Sequence, residues 1–198
     1  AQNENASAWY NQAGALFWVG KHREALSTYV EFLKRFPNQA YAGYAMTRIG
    51  ELLDILGADK NRVMGVYLET YFRYGETPSA IVARLRMLSA RMSSMKDKEV
   101  EKAVKDISEL ANKSTLTKMD QFATIMIADG YSQRGEFDKS LDLLIKYYQN
   151  HPTSADTDLL LNRIVKNINQ KIKYQVDRGV FLEALKTHAK YADNWLKG

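Results

Sequence analysis

"GKHREALSTYVEFLKRFP" at residues 20–37 and "GEFDKSLDLLIKYYQNHP" at 135–152 are one frame written twice, each opening on glycine and closing on proline. In the first, Ala25, Leu26, Tyr29, Phe32 and Leu33 step by three and four, which places them on one face of a helix. In the second, Ser140, Leu141, Leu144, Tyr147 and Tyr148 do the same, with Pro152 at the matching end. A partial third copy, "RGVFLEALKTHAKY" at 178–191, sets Gly179 before Phe181, Ala184, Leu185, His188 and Tyr191. Five places after each glycine stands a small residue: Ala25, Ser140 or Ala184. This spacing predicts a point where two helices approach too closely for a larger side chain.

Upstream of each frame lies a second helical pattern. Trp9, Ala13, Leu16 and Phe17 precede Gly20, and Ile125, Ala128 and Tyr131 precede Gly135. Each glycine supplies the turn, so the unit is helix, tight turn, helix. Between the two clear copies the periodicity predicts Tyr41, Ala45, Ile49, Leu52 and Leu53 inward, paired with Val63, Val66, Tyr67, Thr70 and Tyr71. Another pair follows, with Ile81, Leu85, Leu88 and Met92 inward, then Val100, Ala103, Val104, Ile107 and Leu110. A long helix with Leu161, Ile164, Val165, Ile168 and Ile172 inward leads into the turn at Gly179. The reading is an all-α fold of about five pairs, near 6–38, 40–77, 79–113, 118–152 and 154–196, in a single domain over 1–198.

Composition agrees. Three prolines and eleven glycines in 198 residues are too few for a strand-rich chain, which needs a turn signal every ten residues or so. The absence of cysteine excludes disulfides, thiol catalysis and thiolate metal sites. No apolar run approaches the roughly 18 residues of a membrane span. Net charge is +5, spread along the chain without a compact basic block, a weak pull toward acidic partners. The opening "AQNENAS" lacks Met and reads as a mature end left by signal cleavage. The closing "NWLKG" leaves the last unit without a sealing helix, which reads as one part of a longer protein.

With Trp9, Ala13, Leu16, Gly20, Ala25, Tyr29 and Pro37 in register, the first unit resembles the tetratricopeptide repeat. The second clear copy keeps Ala128, Tyr131, Gly135, Phe137 and Pro152. Departures are Gln12 where the consensus has Leu, Leu16 where it has Tyr, and Thr124 in place of Trp. The resemblance implies a right-handed α-α superhelix whose first helices line a concave, protein-binding side. Residues 8–57 also resemble repeats of bacterial cell-envelope proteins, including outer-membrane-assembly lipoproteins and periplasmic cell-division coordinators. That likeness implies the periplasm or envelope, with the cytoplasm as the alternative.

The sequence offers no catalytic constellation. His22 and His188 occupy places where the repeat sets an aromatic core residue, and His151 abuts the turn proline. The carboxylate pairs Glu99 with Glu101 and Asp156 with Asp158 stand at helix starts, where negative charge favours the dipole. There is no P-loop, dinucleotide fingerprint, HExxH or GxSxG pattern. The expectation is a non-enzyme without metal, cofactor or small-molecule substrate.

Binding residues follow from register. In the first unit Tyr10, Asn11, Phe17 and Trp18 face the groove, and in the second Tyr44, Thr47, Arg48 and Glu51. On the long helix Asn162, Lys166, Asn169, Gln170 and Lys173 share one face opposite the apolar stripe. Asn can bracket a peptide backbone and Lys can hold a carboxylate. Lys166, Asn169 and Lys173 are similar in type to the Lys/Asn carboxylate clamp of chaperone-binding tetratricopeptide domains, although Tyr10 and Gly14 stand where that clamp has Lys and Asn. The expected partner is therefore a peptide or helical segment of another protein. The competing reading, a nucleic-acid-binding helical repeat, rests on Arg84, Arg86, Arg91, Lys96, Lys98, Lys102 and Lys105, but no pair of readout residues recurs from unit to unit.

Overall fold

The computed structural model describes residues 2–75, 77–114, 118–151 and 157–196. Pro152, Asp156 and the last two residues of "NWLKG" lie outside them. The described residues form ten α-helices: α1 Gln2–Trp18, α2 His22–Arg35, α3 Ala42–Ile55, α4 Lys60–Tyr74, α5 Pro78–Arg91, α6 Asp97–Lys113, α7 Met119–Gln133, α8 Phe137–Asn150, α9 Thr157–Asp177 and α10 Phe181–Trp195. A single 3-10 turn spans Met92–Ser94, and no strand occurs among the described residues. The fold is the all-α helical repeat that the glycine frames predict. By its internal contacts the chain forms two compact units, Ala1–Met87 and Leu88–Gly198.

In the first unit each helix packs on the next, α1 on α2, α2 on α3 and α3 on α4. The reversal between α1 and α2 needs Gly20 at φ +79°, where the Lys21 N–H reaches back to the Leu16 carbonyl at 2.9 Å. Ala25, Tyr29 and Phe32 of the first frame are buried, and the rings of Tyr10 and Tyr41 close over Phe32 at 5.8 and 6.2 Å. The middle pair buries Ala45, Ile49, Leu52 and Leu53 with Val63, Tyr67 and Thr70, as the periodicity predicts. At Gly50 the α3 backbone lies so close to α4 that an added Cβ would stand 2.5 Å from a Tyr67 ring carbon. Thr47 departs from its expected groove position. It is 5% exposed, and its hydroxyl donates to the Gly43 carbonyl at 3.0 Å beside Ser79 at the start of α5.

In the second unit α6 packs on α7, α7 on α8, α8 on α9 and α9 on α10. Arg134, at the turn after α7, donates to the Met92 and Met95 carbonyls at 2.9 and 2.5 Å and pairs with Glu136 and Asp97. One side chain thus ties the 3-10 turn to the α7–α8 corner. Ser140 of the second frame is fully buried, with its hydroxyl 2.8 Å from the Ala128 carbonyl and 2.9 Å from Asn167 Oδ1.

Two expectations need correction here. The buried stripe of α9 is Leu160, Ile164, Asn167 and Ile168, whereas Leu161, Val165 and Ile172 are only half-buried. The helix is turned because Asn167, a polar residue, sits inside. Its amide donates to the Arg163 carbonyl at 2.9 Å while its oxygen meets Ser140, which satisfies both ends. In the third frame Ala184 and Tyr191 are buried, but Phe181, Leu185 and His188 are exposed. Helix α10 packs on α9 with the face that carries Ala184, Thr187 and Tyr191, and these three positions lie on its other side.

Candidate peptide-binding surfaces

The first surface lies where side chains of α1 meet Tyr41 and Arg48, the one just ahead of α3 and the other on it. Ser7 Oγ and Tyr41 Oη are 2.6 Å apart, the Tyr10 and Tyr41 rings 5.0 Å apart, and the Arg48 guanidinium lies 4.2 Å over Phe17 and 5.8 Å over Trp18. Arg48 also donates to Glu51, whose second carboxylate oxygen is 3.2 Å from Arg86. All three side chains are less than one third exposed, so two guanidiniums share one partly dry carboxylate. Two phenols sit beside the network, Tyr29 within reach of the Arg48 charge and Tyr67 within reach of the Arg86 charge. Of the residues expected here, Trp18 is 78% exposed, Asn11 is exposed, Tyr44 is half-buried, and Tyr10 is half-buried among Tyr29, Phe32 and Tyr41.

Burial outweighs the neighbouring Arg86 and pushes the Tyr67 phenol up to about 12. The unfolded chain ionises this phenol near pH 10, so the folded state binds its proton more tightly. Stability from this group is full below about pH 10 and is lost as pH rises toward 12. Tyr67→Phe is therefore expected to flatten the stability profile in that alkaline window, as read by denaturant midpoints alongside tyrosinate absorbance. An unchanged slope would mean that other phenols set it.

The second surface is built on α9 alone. Asn162, Val165, Lys166, Asn169, Gln170 and Lys173 line a shallow depression of about 440 Å³. The five polar residues are those that the helical spacing groups, and Val165 joins them because the stripe is turned away from it. Gln170 accepts from the Ser132 hydroxyl of α7 at 3.1 Å, and Lys173 pairs with Asp177 at 2.6 Å. Asn162, Lys166 and Asn169 are exposed and have no hydrogen-bond or ion-pair partner among the described residues. All three side chains are open to solvent.

Three other titratable groups have packing or capping contacts. The His22 ring lies 5.6 Å from Phe17, His151 stacks on Tyr147 at 4.1 Å, and Glu99 accepts from the Lys96 N–H at the start of α6. Among the described residues no group of three or more His, Asp or Glu is placed to hold a metal ion, and no helix is long and apolar enough to cross a membrane. Of the basic residues behind the nucleic-acid reading, Arg84 donates to Tyr71 at 3.3 Å, Arg86 pairs with Glu51, and Lys105 pairs with Glu109 at 3.7 Å.

No family model matches the chain, and no curated protein matches it in sequence. Among solved structures it is similar to MamA, residues 41 to the end, from Desulfovibrio magneticus RS-1, a tetratricopeptide-like helical protein. That likeness has a TM-score of 0.51 at 16% identity and covers 98% of this chain and 96% of that one. The ArsTM double mutant of MamA RS-1 superposes with a TM-score of 0.49 at 14% identity, over 98% of this chain and 96% of that one. Identity this low speaks to the fold, which is of tetratricopeptide type.

Proposed function

We propose that the chain is a non-catalytic scaffold that holds an extended segment of another protein against α9. The observation that carries this reading is the ladder of Asn162, Lys166 and Asn169, whose polar groups are exposed and unengaged along a depression floored by Val165. Asparagine amides present a donor and an acceptor at peptide spacing, and the Lys166 ammonium supplies the charge for an acidic side chain or a terminal carboxylate. Lys173 is tied to Asp177 within its own helix, so Lys166 is the principal cation. The first surface, with Arg48 stacked on Phe17 and Trp18, is a second contact of the same kind. A bacterial envelope setting is part of the proposal and rests on the resemblance of residues 8–57.

The test is a photo-crosslinking side chain at position 169, used in fractionated extract of the source cell with captured species identified by mass spectrometry. Lys166→Glu is expected to weaken binding of the captured protein at least about tenfold, because it sets a carboxylate against an acidic ligand. Position 166 is exposed, so the fold is unaffected. Capture of nucleic acid, or of a protein whose binding ignores Lys166→Glu, would sink the reading.

A further inference from the structure

Four turns, at Gly20, Gly57, Gly135 and Gly179, are built alike, each on a glycine with positive φ. In each, the N–H one place after the glycine reaches the carbonyl four places before it: Lys21 to Leu16, Ala58 to Leu53, Glu136 to Tyr131 and Val180 to Gln175, at 2.9 to 3.0 Å. This geometry asks nothing of the side chains at the two places before the glycine. In the second unit those places are polar, Gln133 with Arg134 and Asp177 with Arg178. In the first unit they are apolar, Trp18 with Val19 and Ile55 with Leu56, and they stand in solvent at 78%, 69%, 48% and 38% exposure. Two tips of one unit thus carry apolar surface that the same turn does without elsewhere.

Both tips lie at one end of the first unit. Helices α1 to α4 each pack on the next through a short connection, so the chain reverses at every step. Tyr10 beside Tyr41 and Phe17 beside Arg48 give α1 and α3 the same direction. Behind the apolar tips stand cations. Arg23 in the first turn of α2, and Lys60 and Arg62 in the first turn of α4, are exposed and have no ion-pair partner among the described residues. The acids nearby are Glu24, paired with Lys21 at 3.6 Å, Asp59, which caps α4 by accepting from the Asn61 and Arg62 N–H groups, and the exposed Asp54. The N-termini of α2 and α4 add their own positive potential at this end.

We propose that this end of the first unit rests on an anionic lipid surface, with the two apolar tips among the acyl chains and Arg23, Lys60 and Arg62 at the headgroups. The order of the layers favours a bilayer over a protein partner. Apolar groups form the crests and cations follow within one helical turn, about 5 Å, which is the order a bilayer presents as acyl chains beneath charged headgroups. Tryptophan settles at that boundary, and lysine and arginine are drawn to it by anionic lipid. A protein seat imposes no such order, and two protruding turns offer it neither a groove nor a continuous face. Trp18 remains available because its contact with Arg48, at 5.8 Å, leaves most of its surface open.

Flotation of the whole chain with vesicles of phosphatidylcholine, alone or mixed with phosphatidylglycerol, is the test. Binding to the anionic vesicles should be at least about tenfold tighter than to the neutral ones and should fall as salt is raised. Trp18→Ser with Leu56→Ser should weaken it at least about tenfold, and so should Arg23→Glu with Lys60→Glu. All four places are exposed, so helix content by circular dichroism should not change. Phe181→Ser with Leu182→Ser, on the exposed face of α10, should leave vesicle binding as it was. Insertion is read with lipids brominated in the acyl chain, which should quench tryptophan emission of the parent chain and far less that of a Trp18→Phe variant. Absence of binding to anionic vesicles at low salt would overturn the proposal. So would binding that ignores the tip substitutions, binding lost equally on the α10 substitutions, or binding without quenching, which is charge attraction alone. Self-association or capture of a protein that is lost on the tip substitutions, without vesicle binding, would assign the tips to a protein contact instead. None of these tip residues lines the α9 depression, so failure here leaves that reading standing.

Discussion

Phe32→Ala is expected to lower the unfolding free energy by about 4 kcal/mol, the upper part of the range for emptying a buried aromatic site. Phe32 is fully buried, and it meets Tyr10 from α1, Tyr41 ahead of α3 and Phe36 past the end of its own helix, all within 6.2 Å between ring centres. These neighbours cannot collapse into the space. Tyr10 is held against Tyr29 at 5.7 Å, and the Tyr41 hydroxyl is fixed by Ser7. The cavity term therefore adds to the lost transfer free energy rather than relaxing away. Leu33→Ala, at a half-buried place one residue on, is expected to cost less than half as much. Urea denaturation followed by tryptophan fluorescence checks both, because two of the three tryptophans, Trp9 and Trp18, lie in the first unit. A loss below about 1.5 kcal/mol for Phe32→Ala would mean that the helices close the gap, and that the aromatic cluster is packed loosely.

The same cluster explains which site residues the sequence could and could not place. Register alone puts Tyr10 on the groove side of α1, but its ring is taken up by Tyr29, Phe32 and Tyr41, since an aromatic between two helices gains more from packing than from solvent. Thr47 is lost to the core for a related reason, the close approach of Ser79. By contrast Asn162, Lys166, Asn169, Gln170 and Lys173 fall together because all five are on one helix, where spacing fixes the face without any tertiary knowledge. The link from Arg48 through Glu51 to Arg86 joins α3 to α5 across the intervening α4 of the chain, and no local pattern announces it.

The fold was more legible than the site because each glycine frame carries its own turn and its own apolar stripe. What failed was the assumption that every copy of the frame is buried alike. Phe181, Leu185 and His188 match the apolar or aromatic places of the frame yet stand in solvent, since burial depends on a neighbour and not on the residue. Asn167 failed in the other direction. It is polar yet buried, because the buried serine at the frame's small-residue position has a hydroxyl that needs a partner.

That serine carries the second large effect. Ser140→Leu is expected to cost about 3–4 kcal/mol, from overpacking together with a lost hydrogen bond to a buried amide. Ser140 has no exposed surface, sits 2.8 Å from the Ala128 carbonyl of α7, and reaches Asn167 of α9 at 2.9 Å. A leucine there must push α8 away from α7, from α9, or from both. Ser140→Ala keeps the spacing, as Ala25 and Ala184 do in the other frames, and is expected to cost only about 1–2 kcal/mol, chiefly by leaving Asn167 Oδ1 unsatisfied. The two contributions separate in a double-mutant cycle. If the hydroxyl matters through Asn167, then Ser140→Ala in an Asn167→Leu background should cost little, because the polar group it served is gone. If Ser140→Ala costs the same in both backgrounds, the Ala128 carbonyl is the true acceptor. If Ser140→Leu costs no more than Ser140→Ala, the helices are not in close approach, and the small residue of the repeated frame has lost its physical reason.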